Sequence, residues 1–169
     1  MQGRFFLFIN FRQAAGFGHV GWGFQLDDQS YLYGATDHLY KHHHIDLISW
    51  MEYMYVQPGD HTDWWCGRGN EEEMIAAMSR SHHHIWYHAC KIVDVKNAKP
   101  GEAETVARQL ETAGWAVLNN NCVQQTYEIV KAYGADNLIP DPWANAFYLI
   151  PRVWFSAFKG EVRMLNNYA

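Results

Sequence analysis

The clearest alternation of apolar and polar positions runs from Phe17 to Leu26. Gly18, Val20, Trp22, Phe24 and Leu26 share one face, and Phe17, His19, Gly21, Gly23 and Gln25 share the other. A period of two is the signature of a β-strand. Asp27-Asp28-Gln29 supplies turn residues and Ser30–Thr36 runs back, so the pattern predicts a β-hairpin. A Phe-rich run over residues 4–11 predicts a strand before it. Asn70 with Glu73 three residues on forms a capping box, and three Glu in the first turn suit the helix dipole, which predicts a helix over 71–80. Ile85–Val95 reads as a strand ended by Pro100-Gly101. Ala103, Val106, Ala107, Leu110 and Ala113 then give the spacing of an amphipathic helix, with Gly114 past its end.

Trp115–Leu118 reads as a short extended piece that leads to a second helix start. Asn121 is its N-cap, Gln124 completes a capping box, Val123, Tyr127 and Val130 form the apolar stripe, and Gly134 closes it. Asn137–Pro142 is turn-rich. Trp143–Phe158 is apolar on all sides and is expected to be largely buried, as two short elements separated by Pro151. Residues 38–69 lack a regular period and read as a short helix or turn followed by a long aromatic loop. Connections of that length usually carry function. With no repeat and no linker, the chain is expected to be one domain, 1–169, with an irregular aromatic insertion at about 39–69. The fold class is α+β: an antiparallel sheet of four to six strands with the Cys122 helix packed against it.

Composition narrows the field. The 169 residues are 49% apolar, with eight Trp and ten Tyr, enough for a packed core. The formal charge is −5 and no basic block occurs, which argues against a nucleic-acid partner. Cys66, Cys90 and Cys122 have neither metal-like spacing nor a disulfide framework, which suits a reducing, cytoplasmic compartment. Phe5-Phe6-Leu7-Phe8-Ile9 is too short for a signal-peptide core, and no segment reaches membrane-spanning length. No cofactor is implied.

Two residues carry candidate chemistry. Cys122 falls at the first helical position, where the dipole and free N–H groups favour a thiolate and can stabilise an oxyanion. The competing reading is a small buried cysteine under the helix. His19 shares its strand face with two glycines, which often mark the close approach of a backbone or ligand; the competing reading is a structural histidine. Cys90 reads as core. The triplets His42-His43-His44 and His82-His83-His84 invite a metal reading, but adjacent residues do not point the same way, so the metal site is set at none.

Gly18-His19-Val20-Gly21 followed by Asn121-Cys122 resembles the circularly permuted branch of the papain-like thiol hydrolases, which includes permuted NlpC-type peptidases and lecithin:retinol acyltransferase-like enzymes. The tract Trp115–Gly134 is similar to cysteine helices of such proteins in bacteria. The resemblance covers residues 16–38 and 84–134. It implies Cys122 as nucleophile and His19 as base and then acid, with a third polar group orienting the imidazole. A hairpin centred on Asp27-Asp28 puts residue 36 or 37 opposite His19, and Asp37 is the best chemical candidate, with Thr36 and His38 behind it. The acyltransferase-like members carry a histidine about twelve residues after the first; here that position is Tyr31. The oxyanion hole would combine the Cys122 amide with a second donor, for which Asn120, Asn121 and Tyr31 are the oxyanion or pocket candidates.

The expected function is a cysteine-dependent hydrolase or acyltransferase acting on an amide or ester through a thioester on Cys122. Its partner would be a small-molecule, peptide or acyl substrate, and the aromatic segment 47–65 suits an acyl pocket. The lack of an export signal weakens a cell-wall peptide substrate. The alternatives are a non-catalytic peptide- or glycan-binding domain on the same fold, and a His-rich metal-binding protein.

Overall fold

The computed structural model describes residues 1–27, 29–38, 54–80 and 86–165. Six strands form one antiparallel sheet: β1 (Gly3–Asn10), β2 (His19–Gln25), β3 (Tyr31–Thr36), β5 (Trp64–Gly69), β6 (Ala89–Val95) and β8 (Glu161–Met164), in the order β5-β3-β2-β1-β6-β8. Two short strands, β4 (Tyr55–Val56) and β7 (Trp115–Ala116), pair separately. The helices are α1 (Glu71–Ser79), α2 (Pro100–Gln109), α3 (Cys122–Tyr133) and α4 (Pro151–Ala157). The protein is therefore α+β with an antiparallel sheet. Among the described residues no helix is long and apolar enough to cross a membrane.

Each face of the sheet has its own core. Leu7, Ile9, Val20, Trp22, Phe24 and Leu32 pack with residues of α2, α3 and α4 on one side. Phe6, Phe8, Tyr31, Tyr33 and Ala35 pack with Met74 and Met78 of α1 and with Tyr87 on the other. Burial on both faces explains why β1 reads as an unbroken apolar run instead of an alternation: Phe5 through Ile9 are all at 0% exposure. In β2 the alternation survives because glycines stand at the α1 face. A Cβ at Gly21 would lie 2.8 Å from Met78 and Tyr87, and one at Gly23 2.5 Å from Met74. The glycines beside His19 thus admit α1 and Tyr87 to the sheet.

Several expectations change. Within 38–69 the expected loop contains a strand, β5, paired with β3 in the register Thr36↔Trp64 to Tyr31↔Gly69. Gly67 and Gly69 hide its pattern; at Gly67 the Tyr33 ring sits 2.5 Å from where a Cβ would be. Residues 39–53 of that insertion lie outside the described residues, as do His42-His43-His44 and His82-His83-His84. The strand expected from Ile85 begins at Ala89; before it, the Tyr87 N–H donates to Met78 O at 2.9 Å and the His88 N–H to Ile9 O at 2.8 Å. Pro100 opens α2 at the position where its missing N–H costs nothing.

The tail is less buried than its composition suggests, with Trp143 57% and Phe147 67% exposed; as expected, short elements meet at Pro151, a 3-10 turn over Ala146–Leu149 and then α4, which Pro151 opens. The C-terminus of α4 is fastened by buried Lys91 of β6. Its Nζ donates to the carbonyls of Phe155 at 2.7 Å and Phe158 at 2.5 Å, where the helix dipole favours a cation.

Candidate functional site

The first turn of α3 is built by side chains only a few residues apart. Asn121 Oδ1 accepts from the N–H groups of Val123 (2.9 Å) and Gln124 (3.3 Å), while Gln124 Oε1 accepts from the Asn121 N–H (2.9 Å). The Gln125 N–H donates to the Asn121 carbonyl at 3.0 Å. Among the described residues the Cys122 N–H has no acceptor, so it is the one N–H of this turn left for a ligand oxygen. Cys122 is buried, at 7% exposure. Gly134 closes α3 in the left-handed conformation, φ 85°.

Asn120 and Asn121 were both candidates for an oxyanion or pocket role, and the structure gives their side chains other work. Asn121 Nδ2 donates to the carbonyls of Val117 (3.0 Å) and Leu149 (3.2 Å), tying the helix start to the segment before α4. Asn120 Nδ2 donates to the carbonyls of Ala113 (3.0 Å) and Gly114 (3.3 Å), so it holds the approach loop together. Both amides are thus engaged with backbone carbonyls.

His19 opens β2, and Asn10 of β1 stands opposite it. The register of β2 with β3 runs Trp22↔Gly34 to Gln25↔Tyr31; continued three residues beyond Trp22, it sets Asp37 across from His19. The side chains meet, with His19 Nε2 3.1 Å from Asp37 Oδ1. Two further donors reach the same carboxylate: Trp65 Nε1–H donates to Oδ2 at 2.7 Å and the Tyr87 hydroxyl to Oδ1 at 3.3 Å. The Cys122 side chain lies close enough for its charge to act on the ring and raise the His19 pKa. With Nε2 turned to Asp37, Nδ1 is the nitrogen left for Cys122.

The environment favours the imidazolium. Burial works against a charged ring and is the largest single effect. The Cys122 side chain, the hydrogen bond to Asp37 and the Asp37 charge together outweigh it, raising the His19 pKa from 6.5 to about 10. At neutral pH the site therefore contains a buried cation between a carboxylate and a sulfur. Such a chain can hold a proton at Nδ1 and return it to a neighbouring atom.

The other candidates stand elsewhere. Tyr31 faces Gln25 at the opposite end of the hairpin, six residues from Asp37, roughly 20 Å along an extended strand. Its hydroxyl accepts from Arg4 and donates to Glu71 at 3.4 Å, so it has no place beside Cys122. Thr36 pairs with Trp64, one residue out of step with Asp37, and so faces the other side of the sheet. The His38 ring stacks on Trp115 with centroids 4.2 Å apart. Cys90 is buried in the sheet, its thiol pushed up to about 12 by burial, and burial also raises the half-buried Cys66. Among the described residues no group of three His, Cys, Asp or Glu side chains gathers where a metal could bind.

Trp65 and Tyr87 are the site residues that sequence reasoning missed. Trp65 lies on β5, a stretch whose sequence reads as loop. Tyr87 reads as one residue of a strand, and no local pattern connects it to Asp37. A search for tryptophan or tyrosine two residues from a strand glycine would have flagged Trp65, which lies two before Gly67.

Comparison with protein-family models, curated proteins and solved structures finds no match.

Proposed function

We propose that the chain is a cysteine-dependent hydrolase or acyltransferase of the permuted papain-like type, acting on an amide or ester bond. The observation that carries this reading is the buried His19 ring, held by Asp37 at Nε2 and interacting with the Cys122 thiol at the start of α3. A cysteine that served only as core packing would need neither an imidazole nor a carboxylate behind it.

In this reading the Cys122 thiolate attacks the substrate carbonyl, and the carbon–sulfur bond forms as the oxyanion meets the Cys122 N–H. His19 Nδ1–H then protonates the departing amine or alcohol as the bond to it breaks, leaving a thioester. Water or an acceptor amine, losing its proton to Nδ1, attacks the thioester; the carbon–sulfur bond breaks, the acid or new amide leaves, and the thiolate and imidazolium are restored. Asp37 orients the ring and stabilises the imidazolium. The acceptor and the acyl group are those of a peptide, small-molecule or acyl substrate.

Thiol reactivity tests the reading without a known substrate. Each cysteine would be labelled with iodoacetamide between pH 5.5 and 9.5 and read by mass spectrometry, in the wild type and in His19→Ala. An ordinary thiol, with a pKa of about 8.5, is less than about 1% ionised at pH 6. Cys122 is expected to be labelled at pH 6 well ahead of Cys66 and Cys90, and His19→Ala to abolish that lead. If Cys122 is inert, or reacts identically without His19, the reading is wrong.

A further inference from the structure

Asp37 is the hub of the site, and two of its donors belong to elements remote in sequence. Trp65 lies on the edge strand β5 and Tyr87 on the segment leading into β6, 28 and 50 residues away from it. Trp65 donates to Oδ2 and Tyr87 to Oδ1, the oxygen that also meets His19 Nε2. A carboxylate has two oxygens and a soft terminal torsion. A donor on each oxygen fixes the plane of the group, and with it the direction in which Oδ1 faces the imidazole. The Tyr87 ring lies beside the His19 ring as well, with centroids 6.0 Å apart.

We infer that Trp65 and Tyr87 are positioning residues of this site, which lock the Asp37 carboxylate so that it holds His19 in one ring orientation with Nδ1 turned to Cys122. The inference rests on the proposed thiolate–imidazole pair and adds to it the pair's outer support. Both donors suit the task. An indole N–H cannot titrate in water, and the Tyr87 hydroxyl is kept protonated by burial first and then by the charges of Asp37 and Cys122. Charge-assisted bonds of this kind are shorter and stronger than neutral ones, and the 2.7 Å Trp65 bond is the shorter of the two.

The titratable groups against His19 are Asp37 from the end of β3, Cys122 from α3 and Tyr87. His88, next to Tyr87, is turned to Phe11 instead: its Nδ1 accepts from the Phe11 N–H at 2.9 Å and its ring stacks on Phe11. His19 is the titrating group on which the charges of Asp37 and Cys122 both act, and the low-pH reactivity of Cys122 reports its placement.

The test compares iodoacetamide labelling of Cys122 at pH 6 and pH 9.5 in Trp65→Phe, Tyr87→Phe and Tyr33→Phe. The last removes a hydroxyl from the same apolar layer without touching Asp37. Losing one hydrogen bond to a charged acceptor corresponds to roughly a ten-fold effect or more. Labelling at pH 6 is expected to fall about ten-fold in Trp65→Phe, and by a smaller factor in Tyr87→Phe. At pH 9.5, where thiols ionise unaided, both should stay within about two-fold of wild type. Tyr33→Phe should change neither rate. The His19 ring ¹⁵N resonances should shift in the first two variants and not in the third.

Wild-type labelling ratios and unmoved His19 resonances in both folded variants overturn the inference while leaving the proposed activity intact. If wild-type labelling is itself indifferent to His19→Ala, it is the proposed activity that fails. Should Trp65→Phe fail to fold, Tyr87→Phe decides alone, because it keeps the ring that packs beside His19.

Discussion

Replacing Asp37 by Ala should be among the most damaging single changes available in this protein. The carboxylate is 3% exposed, and its oxygens accept from His19 at 3.1 Å, Trp65 at 2.7 Å and Tyr87 at 3.3 Å. At 3.1 Å and an effective dielectric near 20, the attraction between Asp37 and a charged His19 is about 5 kcal/mol before desolvation is counted. Removing one member of a buried pair leaves the other charged and unpaired, which typically costs about 3–5 kcal/mol. Asp37→Ala should therefore lose about 3–5 kcal/mol in urea unfolding at pH 6. Asp37→Asn should lose less, since it keeps one acceptor oxygen for Trp65.

The pH dependence has a definite sign. The folded-state pKa of His19 is raised above its unfolded value of 6.5, to about 10. The stabilisation that Asp37 gives the imidazolium is thus complete below about pH 6.5 and is lost as pH rises through about 10. The gap between wild type and Asp37→Ala should be widest at pH 6 and narrow clearly by pH 10.5. The assay is a pair of urea titrations at each pH, accepted only where the m-value is unchanged. A loss below about 1 kcal/mol at pH 6, or a gap as wide at pH 10.5, would refute the reasoning.

Other predictions follow from particular contacts. Gly21→Ala places a methyl 2.8 Å from Tyr87 and Met78, so it should cost about 1–3 kcal/mol and slow Cys122 labelling at pH 6 by displacing Tyr87. Asn121→Ala removes the cap of α3 and its ties to Val117 and Leu149; thermal unfolding should report a loss of at least about 1–2 kcal/mol. Lys91→Met leaves the Phe155 and Phe158 carbonyls without their donor and should cost about 1–3 kcal/mol, with Cys122 labelling unchanged. Cys90, at 0% exposure and pushed up to about 12, should be labelled at pH 8 only after denaturant is added; rapid labelling of the native protein would contradict its placement.

What the sequence by itself determined is local. The two capping boxes, Asn70 with Glu73 and Asn121 with Gln124, were legible because each closes over three residues, within reach of side chains whose spacing the chain alone sets. The β2–β3 hairpin was legible for the same reason. A short turn leaves little freedom of register: counting outward from Asp27-Asp28 brings residue 36 or 37 opposite His19, and the observed register makes it Asp37. Cys122 at a helix start and Asp37 opposite His19 therefore both came from short-range rules.

Tertiary structure decided the rest. That the α3 start meets the His19 end of β2 depends on which elements pack together, 103 residues apart in the chain, and no local pattern encodes it. Trp65 reaches Asp37 only because β5 joins the sheet at the outer edge of β3, and Tyr87 only because glycines in β2 let it lie against the sheet. Asn120 and Tyr31 had suitable chemistry for an oxyanion donor, but backbone carbonyls claimed one and the far end of the hairpin carried off the other. Spacing along a chain tells which way a side chain faces within its own element; whose side chain it then meets is set by the order in which elements are packed.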